Sequence, residues 1–336
     1  MNIQKNSTLE LLKLFASYMV VFIHVSFYGN VGIAVNALAR FAVPFFFLVS
    51  GFYSYQIPCE KIKKRIGTIL TLLVVATVCY STFEIVTLLY WNMDGLVALL
   101  HRYTEVSTFI NLLIFNMPVS SDLSSGHLWY LLAILYVYVI FYFLTKFRVQ
   151  EKTVFSISFF LLFLHILLGE GLSLFGIVLP IQFVRNFALM GIPFFALGLL
   201  AKKYEDKFQA IPSYVIFISA LVGIFESIFS RYYVGENELY IGSLFLLFAA
   251  ICTFTKYADV QHPSFLTALE GCSTYIYIFH IILSSVIYMI YSVLGIDIYS
   301  SALLENLHPI GVCVCCTVFA YCLIKLLNQF HKAKAR

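Results

Sequence analysis

Residues 10–28 read ELLKLFASYMVVFIHVSFY, a stretch apolar enough to lie in a lipid bilayer although it carries Glu10, Lys13, Ser17 and His24. At about 100° per residue, Lys13 and His24 fall within about 20° of each other on a helix, with about 16 Å of rise between them. Glu10 and Ser17 share that face. Charged and imidazole side chains in a membrane helix usually face a protein interior or a water-filled cavity. The stretch therefore predicts a membrane helix whose polar face is the wall of a reaction chamber.

The composition of the whole chain is that of a polytopic membrane protein. Of its 336 residues, 61% are hydrophobic and 11% are charged, whereas a soluble domain carries about 25% charged residues. We expect an all-α membrane protein in which residues 1–336 form a single integral-membrane domain. The first apolar run is long and interrupted by charge, so we expect it to remain as the first membrane helix. No basic stripe suited to a nucleic-acid partner is present.

Apolar segments of spanning length predict about ten transmembrane helices. Ten spans place both termini on one side, together with 17 of the 21 lysines and arginines. The positive-inside rule then places both termini in the cytoplasm. A shorter apolar segment, 108–118, is expected to be interfacial or re-entrant. The ten predicted spans are 9–29, 32–56, 66–91, 127–145, 154–169, 181–201, 212–230, 238–256, 268–294 and 304–328.

The eight cysteines do not suggest a disulfide framework, since nearly all of them lie in or against apolar segments. Cys313 and Cys316 form a CxxC spacing that is also found in redox and metal sites. Inside an apolar helix, small thiols at a packing surface are the simpler interpretation. We therefore expect no metal site.

The densest basic cluster follows the second span, in YQIPCEKIKKRIG at residues 55–67. Lys61, Lys63, Lys64 and Arg65 are topology signals that meet anionic lipid in one interpretation. In the other interpretation they bind the phosphates of a cytoplasmic nucleotide-like donor.

Two arginines lie toward the predicted outer ends of spans. Arg40 opens RFAVPFFFLVSGFY in the second span, and Arg185 opens RNFALMGIPFFALGLL in the sixth. Arg40 either snorkels to the interface or faces the chamber and meets an acceptor sugar or a carboxylate. Arg185 is a candidate for positioning the acceptor. The shared Pro-Phe-Phe core of the two segments is compatible with an internal repeat or with chance.

Three further intramembrane residues are candidates for a site. Glu84 in the third span and Glu226 in the seventh either contact the substrate or form structural ion pairs with Arg40 or Arg185. His280 lies in the ninth span on one face with Ser273, Tyr277 and Ser284. It is a second histidine on a polar face, which favours a shared chamber.

These segments, taken together and in order, resemble the bacterial membrane-bound acyltransferase-three family, which includes O-acetyltransferases of surface polysaccharides. The matching segments are ELLK with His24, RFAVPFFFLVSGFY, KIKKR, GHLWYL, RNFALMGIPFF and CSTYIYIFH. The spacing of Lys13 and His24 resembles the family's Arg-x10-His motif, with lysine in place of arginine. Lysine keeps the charge but loses the bidentate fork.

The resemblance implies a multi-pass protein of the bacterial inner or plasma membrane that takes acetyl-CoA as its acyl donor on the cytoplasmic side. The implied acceptor is a sugar hydroxyl of a polysaccharide or lipid-linked glycan, and His24 matches the proposed catalytic histidine. We expect the CoA phosphates to bind at residues 61–65 and the pantetheine arm to pass Lys13, which Glu10 orients. His24 then acts as the base or carries the acyl group. Arg40, Arg185, His280, Glu84 and Glu226 are candidates for binding the substrate.

Two other classes of protein fit parts of the sequence. A transporter or flippase of a lipid-linked sugar would also have ten spans, buried acids and a weak repeat, but would need neither a base nor a CoA site. A sensor or scaffold would tolerate loss of both His24 and Lys13.

Overall fold

The computed structural model describes residues 6–90, 101, 104–116, 125–260 and 262–334. Over these residues every regular element is a helix. Eight helical segments are long and apolar enough to cross a membrane, when Gly29–Phe52 and Glu151–Gly171 are each taken as one segment. The predicted all-α polytopic membrane class is therefore confirmed. Its α-helices are, in chain order, α1 Ser7–His24, α2 Gly29–Ala39, α3 Ala42–Phe52, α4 Cys59–Tyr90, α5 Val106–Phe115, α6 Trp129–Lys146, α7 Glu151–Ile166, α8 Ile192–Lys203, α9 Glu205–Gln209, α10 Ser213–Tyr233, α11 Ile241–Lys256, α12 Ser264–Thr267, α13 Cys272–Val293 and α14 Ala302–Lys334.

Three of the ten predicted spans differ from a continuous long helix, and one of them, at 32–56, is divided into α2 and α3. In place of the span at 181–201, a 3-10 turn at Ile181–Phe183 and a π-helical turn at Phe187–Gly191 precede α8. The span at 238–256 is the 16-residue helix α11. Residues 108–115 of the short segment at 108–118 belong to α5, a ten-residue helix without buried residues, and residues 117–118 lie outside the described part of the chain. Apolar composition alone did not reveal these breaks, because a π turn keeps the residues as apolar as a straight helix does.

The chain divides into two compact units, which are described separately. Unit 1 comprises Met1–Phe46 and Tyr204–Arg336, and unit 2 comprises Phe47–Lys203.

In unit 1, α1 begins at a capped end and packs along α13 and α14. The Asn6 side chain accepts a hydrogen bond from Leu9 N at 2.9 Å, as preferred N-cap residues do. Its amide also donates to Phe254 O at 2.7 Å, which ties the start of α1 to α11. Further along α1, Tyr18 and Thr317 join their hydroxyls at 2.8 Å. This packing fixes one face of α1 against α13 and α14.

The break between α2 and α3 lies at Arg40, and Pro44 explains it. Proline has no backbone N–H, so residue 44 cannot donate to the carbonyl of residue 40 as an uninterrupted helix requires. The chain turns at residues 40–41 and resumes as α3. Arg40 thus occupies the C-cap of α2 instead of the middle of a helix.

In unit 2, α3 and α8 cross at close backbone distance through two glycines. A Cβ atom on Gly51 would lie 1.9 Å from Phe195 O, and one on Gly198 would lie 1.9 Å from Leu48 O. Small residues allow such approaches between membrane helices. The two segments that share Pro-Phe-Phe therefore pack against each other. In each segment, the glycine that follows Pro-Phe-Phe, Gly51 or Gly198, lies at the contact.

Candidate active site

The polar face of α1 is tied to the start of α13 through Glu10. Lys13 Nζ donates to Glu10 Oε1 at 2.7 Å, the i, i+3 contact expected from the sequence. The other carboxylate oxygen, Oε2, accepts from Gly271 N at 3.3 Å. Gly271 precedes α13 with φ of +83°, a conformation that favours glycine. A carboxylate at a helix N-terminus is favoured by the helix dipole. Glu10 therefore joins the lysine of α1 to the helix that carries His280.

The two histidines of unit 1 that the sequence singled out lie side by side. The ring centroids of His24 and His280 are 5.2 Å apart, with the ring planes tilted by 46°. His24 ends α1 and His280 lies in the first half of α13. The structure thus brings together the two polar faces that the sequence placed on separate helices.

The proton of the His280 ring can be assigned from its acceptors. His280 Nδ1 lies 2.8 Å from Tyr277 O and 3.2 Å from Ile276 O. Carbonyl oxygens only accept hydrogen bonds, so Nδ1 carries the proton and Nε2 of the neutral ring has the lone pair. His280 is fully buried, and Ser273, Tyr277 and Ser284 on the same face are buried too. The polar face of α13 is therefore an interior surface of unit 1.

His24 differs from the enclosed position that the sequence suggested, because its side chain is exposed. It is the last residue of α1, where the chain turns away at Val25 and fewer neighbours cover the ring. Ser17 lies seven residues before His24 on the same face of α1. It is fully buried, and its hydroxyl donates to Leu14 O at 2.7 Å. The polar face of α1 thus changes from covered to accessible toward its C-terminal end, and its imidazole lies at the accessible end.

A cavity of about 450 Å³ lies on a different face of α1. Leu12, Phe15 and Met19 line it from α1, and the remaining lining residues come from α2, α10, α11 and neighbouring positions of unit 1. Its walls are almost entirely apolar. The cavity is therefore separate in chemistry from the face that bears Lys13 and His24.

Arg40 is held by carboxylates of its own chain. Its Nη2 donates to Glu236 Oε1 at 2.6 Å and its Nη1 to Glu238 Oε1 at 2.9 Å. Nε and Nη2 also donate to Asn36 Oδ1. The side chain is 6% exposed, so it does not snorkel to an interface. The sequence-based reading missed Glu236 and Glu238, although they flank Asn237 in a short polar segment between two apolar helices.

Glu226 has structural partners of a different kind. Gly242 N, in the first turn of α11, donates to Glu226 Oε2, and Ser230 Oγ donates to Oε1 at 2.8 Å. The carboxylate therefore caps the N-terminus of α11 from α10. It does not form the ion pair with Arg40 that was considered from the sequence, because Arg40 is engaged by Glu236 and Glu238.

The basic cluster lies in unit 2, where its four members differ in environment. Lys61, Lys63 and Lys64 are exposed at the start of α4, and Lys63 pairs with Glu60 at 3.1 Å. Arg65 is directed inward: Nη1 donates to Ser54 Oγ at 2.6 Å and to Tyr138 Oη at 3.1 Å, and Nη2 donates to Tyr53 O at 2.8 Å. Arg65 fixes the loop after α3, and the three lysines remain accessible.

The other predicted candidates of unit 2 lie in separate segments, Glu84 on α4 and Arg185 between the 3-10 turn and the π-helical turn that precede α8. Glu84 is buried in α4 with Thr87 on the same face, and Arg185 lies 5.6 Å from the centre of the Trp129 ring. Two buried residues were missed by the sequence-based reading, His165 at the end of α7 and Glu170 in the π-helical turn Leu167–Gly171. Each is an ionisable side chain in an otherwise apolar segment, which is the signal that would have drawn attention to them.

Cys313 and Cys316 are packed in an apolar cluster of unit 1. Both are buried with Cys272, Ile276 and Val312, against the inner face of α1. Across the described part of the chain, no group of three or more His, Cys, Asp or Glu residues is arranged to bind a metal ion.

Comparison with known families gives one match. A family model described as an acyltransferase domain, of the acyltransferase-3 type, matches residues 6–326. This range includes α1 with Lys13 and His24, α13 with His280, and nearly all of α14. Comparison with curated proteins and with solved structures gives no match.

Proposed function

Because the chain belongs to the acyltransferase-3 family and is a multi-pass membrane acyltransferase, we propose that it transfers an acetyl group from acetyl-CoA to a sugar hydroxyl. The acceptor is a surface polysaccharide or its lipid-linked precursor. The protein acts in the bacterial inner or plasma membrane with both termini in the cytoplasm, which is the orientation that the charge distribution favours.

The observation that carries the proposal is the arrangement on α1 and α13. An accessible imidazole, His24, lies 5.2 Å from the buried ring of His280, and the same pair of helices is joined by Glu10 between Lys13 and Gly271. Acyl transfer to a hydroxyl needs a base that titrates near neutral pH and that the substrate can reach. An imidazole is a base of this kind, and the side chain of His24 is exposed.

In direct transfer, His24 removes the proton of the sugar hydroxyl as its oxygen attacks the thioester carbonyl carbon. The tetrahedral intermediate collapses with cleavage of the carbon–sulfur bond, and the CoA thiolate takes the proton from the imidazolium. In the relay, a His24 ring nitrogen attacks the thioester first, the carbon–sulfur bond breaks, and the CoA thiolate takes the remaining N–H proton of the acetylated ring. The sugar hydroxyl then attacks the acetyl carbonyl carbon, the carbon–nitrogen bond breaks, and the hydroxyl proton returns to the ring. Both routes balance without a cofactor or metal.

We expect the exposed cations of unit 2 to bind the donor. Lys61, Lys63 and Lys64 supply positive charge for CoA phosphates, and Arg65 holds the loop beside them. Of the remaining candidates, Arg185 and Glu84 are proposed to position the substrate. His280 is proposed to position both the substrate and the neighbouring ring of His24. Arg40 and Glu226 are engaged by their own chain and are proposed to hold the helix ends.

The test uses the full-length protein in lipid nanodiscs with radiolabelled acetyl-CoA and surface glycan from the producing cell. We expect label to appear in the glycan, and His24→Ala to lower the rate by at least about 10²-fold, the contribution typical of a general base. Label on the protein in the absence of glycan, lost in His24→Ala, would identify the relay.

The matched control is His101→Ala, an exposed histidine on the segment before α5 that pairs with Glu105. This variant should transfer acetyl at the wild-type rate. Wild-type turnover in a well-folded His24→Ala protein would overturn the assignment of His24. Movement of glycan without acetyl-CoA and without acyl transfer would favour a transporter instead.

A further inference from the structure

Unit 2 contains a cavity where the loop after α3 meets the turn between α6 and α7. Its volume is about 230 Å³, and Tyr55, Gln56, Phe141, Arg148, Glu151 and Phe155 are among its lining residues. Pockets that enclose a drug-sized molecule occupy about 300–1,000 Å³. The cavity is therefore sized for one ring system of a ligand whose remaining parts lie outside it.

Two residues with strained backbone border this cavity. Gln56 has φ of +54° and Arg148 has φ of +52°, and over the described ranges only one other non-glycine residue, Asn116, has positive φ. Arg148 follows the C-terminus of α6, where Val149 N donates to Leu144 O and Arg148 N to Thr145 O. This turn normally has glycine at the left-handed position. Strained residues of this kind concentrate at ligand-binding sites.

The lining has the chemistry that recognises a purine base. Phe141 and Phe155 offer aromatic surfaces, on which bases stack at about 1–3 kcal/mol each. The Gln56 amide is of the type that bonds both N6 and N7 of adenine, and the Glu151 carboxylate accepts from an exocyclic amine. Glu151 is itself fixed by Lys203 at 2.5 Å.

The surroundings of the cavity carry the charge that phosphates need. The segment 146–152 contains Lys146, Arg148 and Lys152 against the single acid Glu151. The loop that supplies Tyr55 and Gln56 is bonded to the basic cluster, because Arg65 donates to Tyr53 O at 2.8 Å. A ring in the cavity would therefore have cations from two segments of unit 2 available to its phosphates.

We propose that this cavity binds the adenine ring of the donor's CoA, with its ribose and phosphates outside among the surrounding cations. The proposal rests on acetyl-CoA being the acyl donor. In this arrangement Gln56 and Arg148 recognise the nucleotide end of CoA. The thioester end of the donor then takes part in acyl transfer.

The first test fills the cavity and compares two donors. Thr145 lines the cavity, and Thr145→Phe should raise the KM for acetyl-CoA at least about tenfold. S-acetylpantetheine lacks the nucleotide, so its KM should not change, and kcat should be preserved with both donors. Thr153→Phe is the matched control, since Thr153 is exposed on α7 and outside the lining. An unchanged KM for acetyl-CoA in Thr145→Phe would overturn the proposal.

Binding measurements separate this proposal from the acyl-transfer proposal. Adenosine 3′,5′-bisphosphate should bind to the wild-type protein in calorimetry and at least about tenfold more weakly to Thr145→Phe, whether or not the protein transfers acetyl. AMP should bind more weakly than the bisphosphate, and tighter binding of AMP would indicate a free nucleotide in place of CoA. Equal binding of the bisphosphate by both proteins would overturn the cavity assignment alone.

Arg148→Gly gives a second, independent readout. Glycine adopts positive φ without a steric cost, so this variant should melt at a higher temperature than Arg148→Ala. Both variants should bind the bisphosphate at least about fivefold more weakly than the wild type. If Arg148 served only to end α6, both variants would retain wild-type affinity for the nucleotide, and the proposal would fail.

Discussion

The imidazole rings of His24 and His280 lie with their centroids 5.2 Å apart, although one ends α1 and the other belongs to α13, far along the chain. His280 is fixed by two backbone carbonyls and fully buried, and His24 is exposed. A rigid ring therefore supports an accessible one, the arrangement expected where one imidazole must meet a substrate in a defined orientation.

This relationship predicts that His280 positions His24. His280→Phe keeps an aromatic ring but removes both nitrogens, so kcat for acyl transfer should fall about tenfold, which corresponds to about 1.4 kcal/mol. The KM for acetyl-CoA should not change, because the proposed binding of the donor's nucleotide does not involve the His280 ring. A rise in KM with unchanged kcat, measured in nanodiscs, would contradict a positioning role.

Glu10→Gln should destabilise the protein because both partners of Glu10 are donors. The carboxylate accepts from Lys13 Nζ and from Gly271 N, and an amide offers only one accepting oxygen. We expect a loss of about 1.5–3 kcal/mol, the range for hydrogen bonds to charged groups, measured as a lower melting temperature in detergent.

Glu60→Gln is the matched control for this prediction. Glu60 and Lys63 form the same i, i+3 pair on α4, but both side chains are more than half exposed. Exposed pairs contribute little, so the melting temperature of Glu60→Gln should equal that of the wild type. An equal decrease in melting temperature for Glu10→Gln and Glu60→Gln would show that the burial of Glu10 and its hydrogen bond to Gly271 do not contribute to stability.

Glu238→Gln should destabilise the protein more than Glu236→Gln. Both carboxylates accept from Arg40, but Glu238 is 16% exposed and Glu236 is 57% exposed. Removing one partner of a buried ion pair costs about 3–5 kcal/mol. The pair of Arg40 with the exposed Glu236 contributes less, because solvent screens it. Double-mutant cycles that combine each variant with Arg40→Gln measure the coupling energy of each pair by thermal unfolding. A larger coupling energy with Glu236 than with Glu238 would contradict the prediction.

Gly198→Ala should disrupt the contact between α3 and α8. The new Cβ would lie 1.9 Å from Leu48 O, so the backbones must separate, at a cost of about 1–3 kcal/mol or more. Gly67→Ala is the control, because no atom lies within 4 Å of its Cβ position on α4 and alanine favours a helix. A Gly198→Ala protein as stable as Gly67→Ala would mean that the two helices are not in close contact.

Much of the fold could be predicted because membrane helices are recognised by length and apolar composition. The helix at the N-terminus, its polar face and the second histidine on α13 all follow from residue spacing. The break in the predicted sixth span could not be predicted in this way, since π and 3-10 turns need no change in hydropathy. Pro44 was a visible signal for the break at Arg40, and its consequence was not drawn from the sequence.

The sequence by itself determined the membrane class, the family and the pairing of Lys13 with Glu10, because these depend on composition, motif order and spacing within one helix. Only the tertiary structure decided which groups from distant segments meet: His24 with His280, and Arg40 with Glu236 and Glu238. The physical reason is that helical periodicity fixes the direction of a side chain around its own axis. Which helix that side chain then faces is set by packing, which a single helix does not encode.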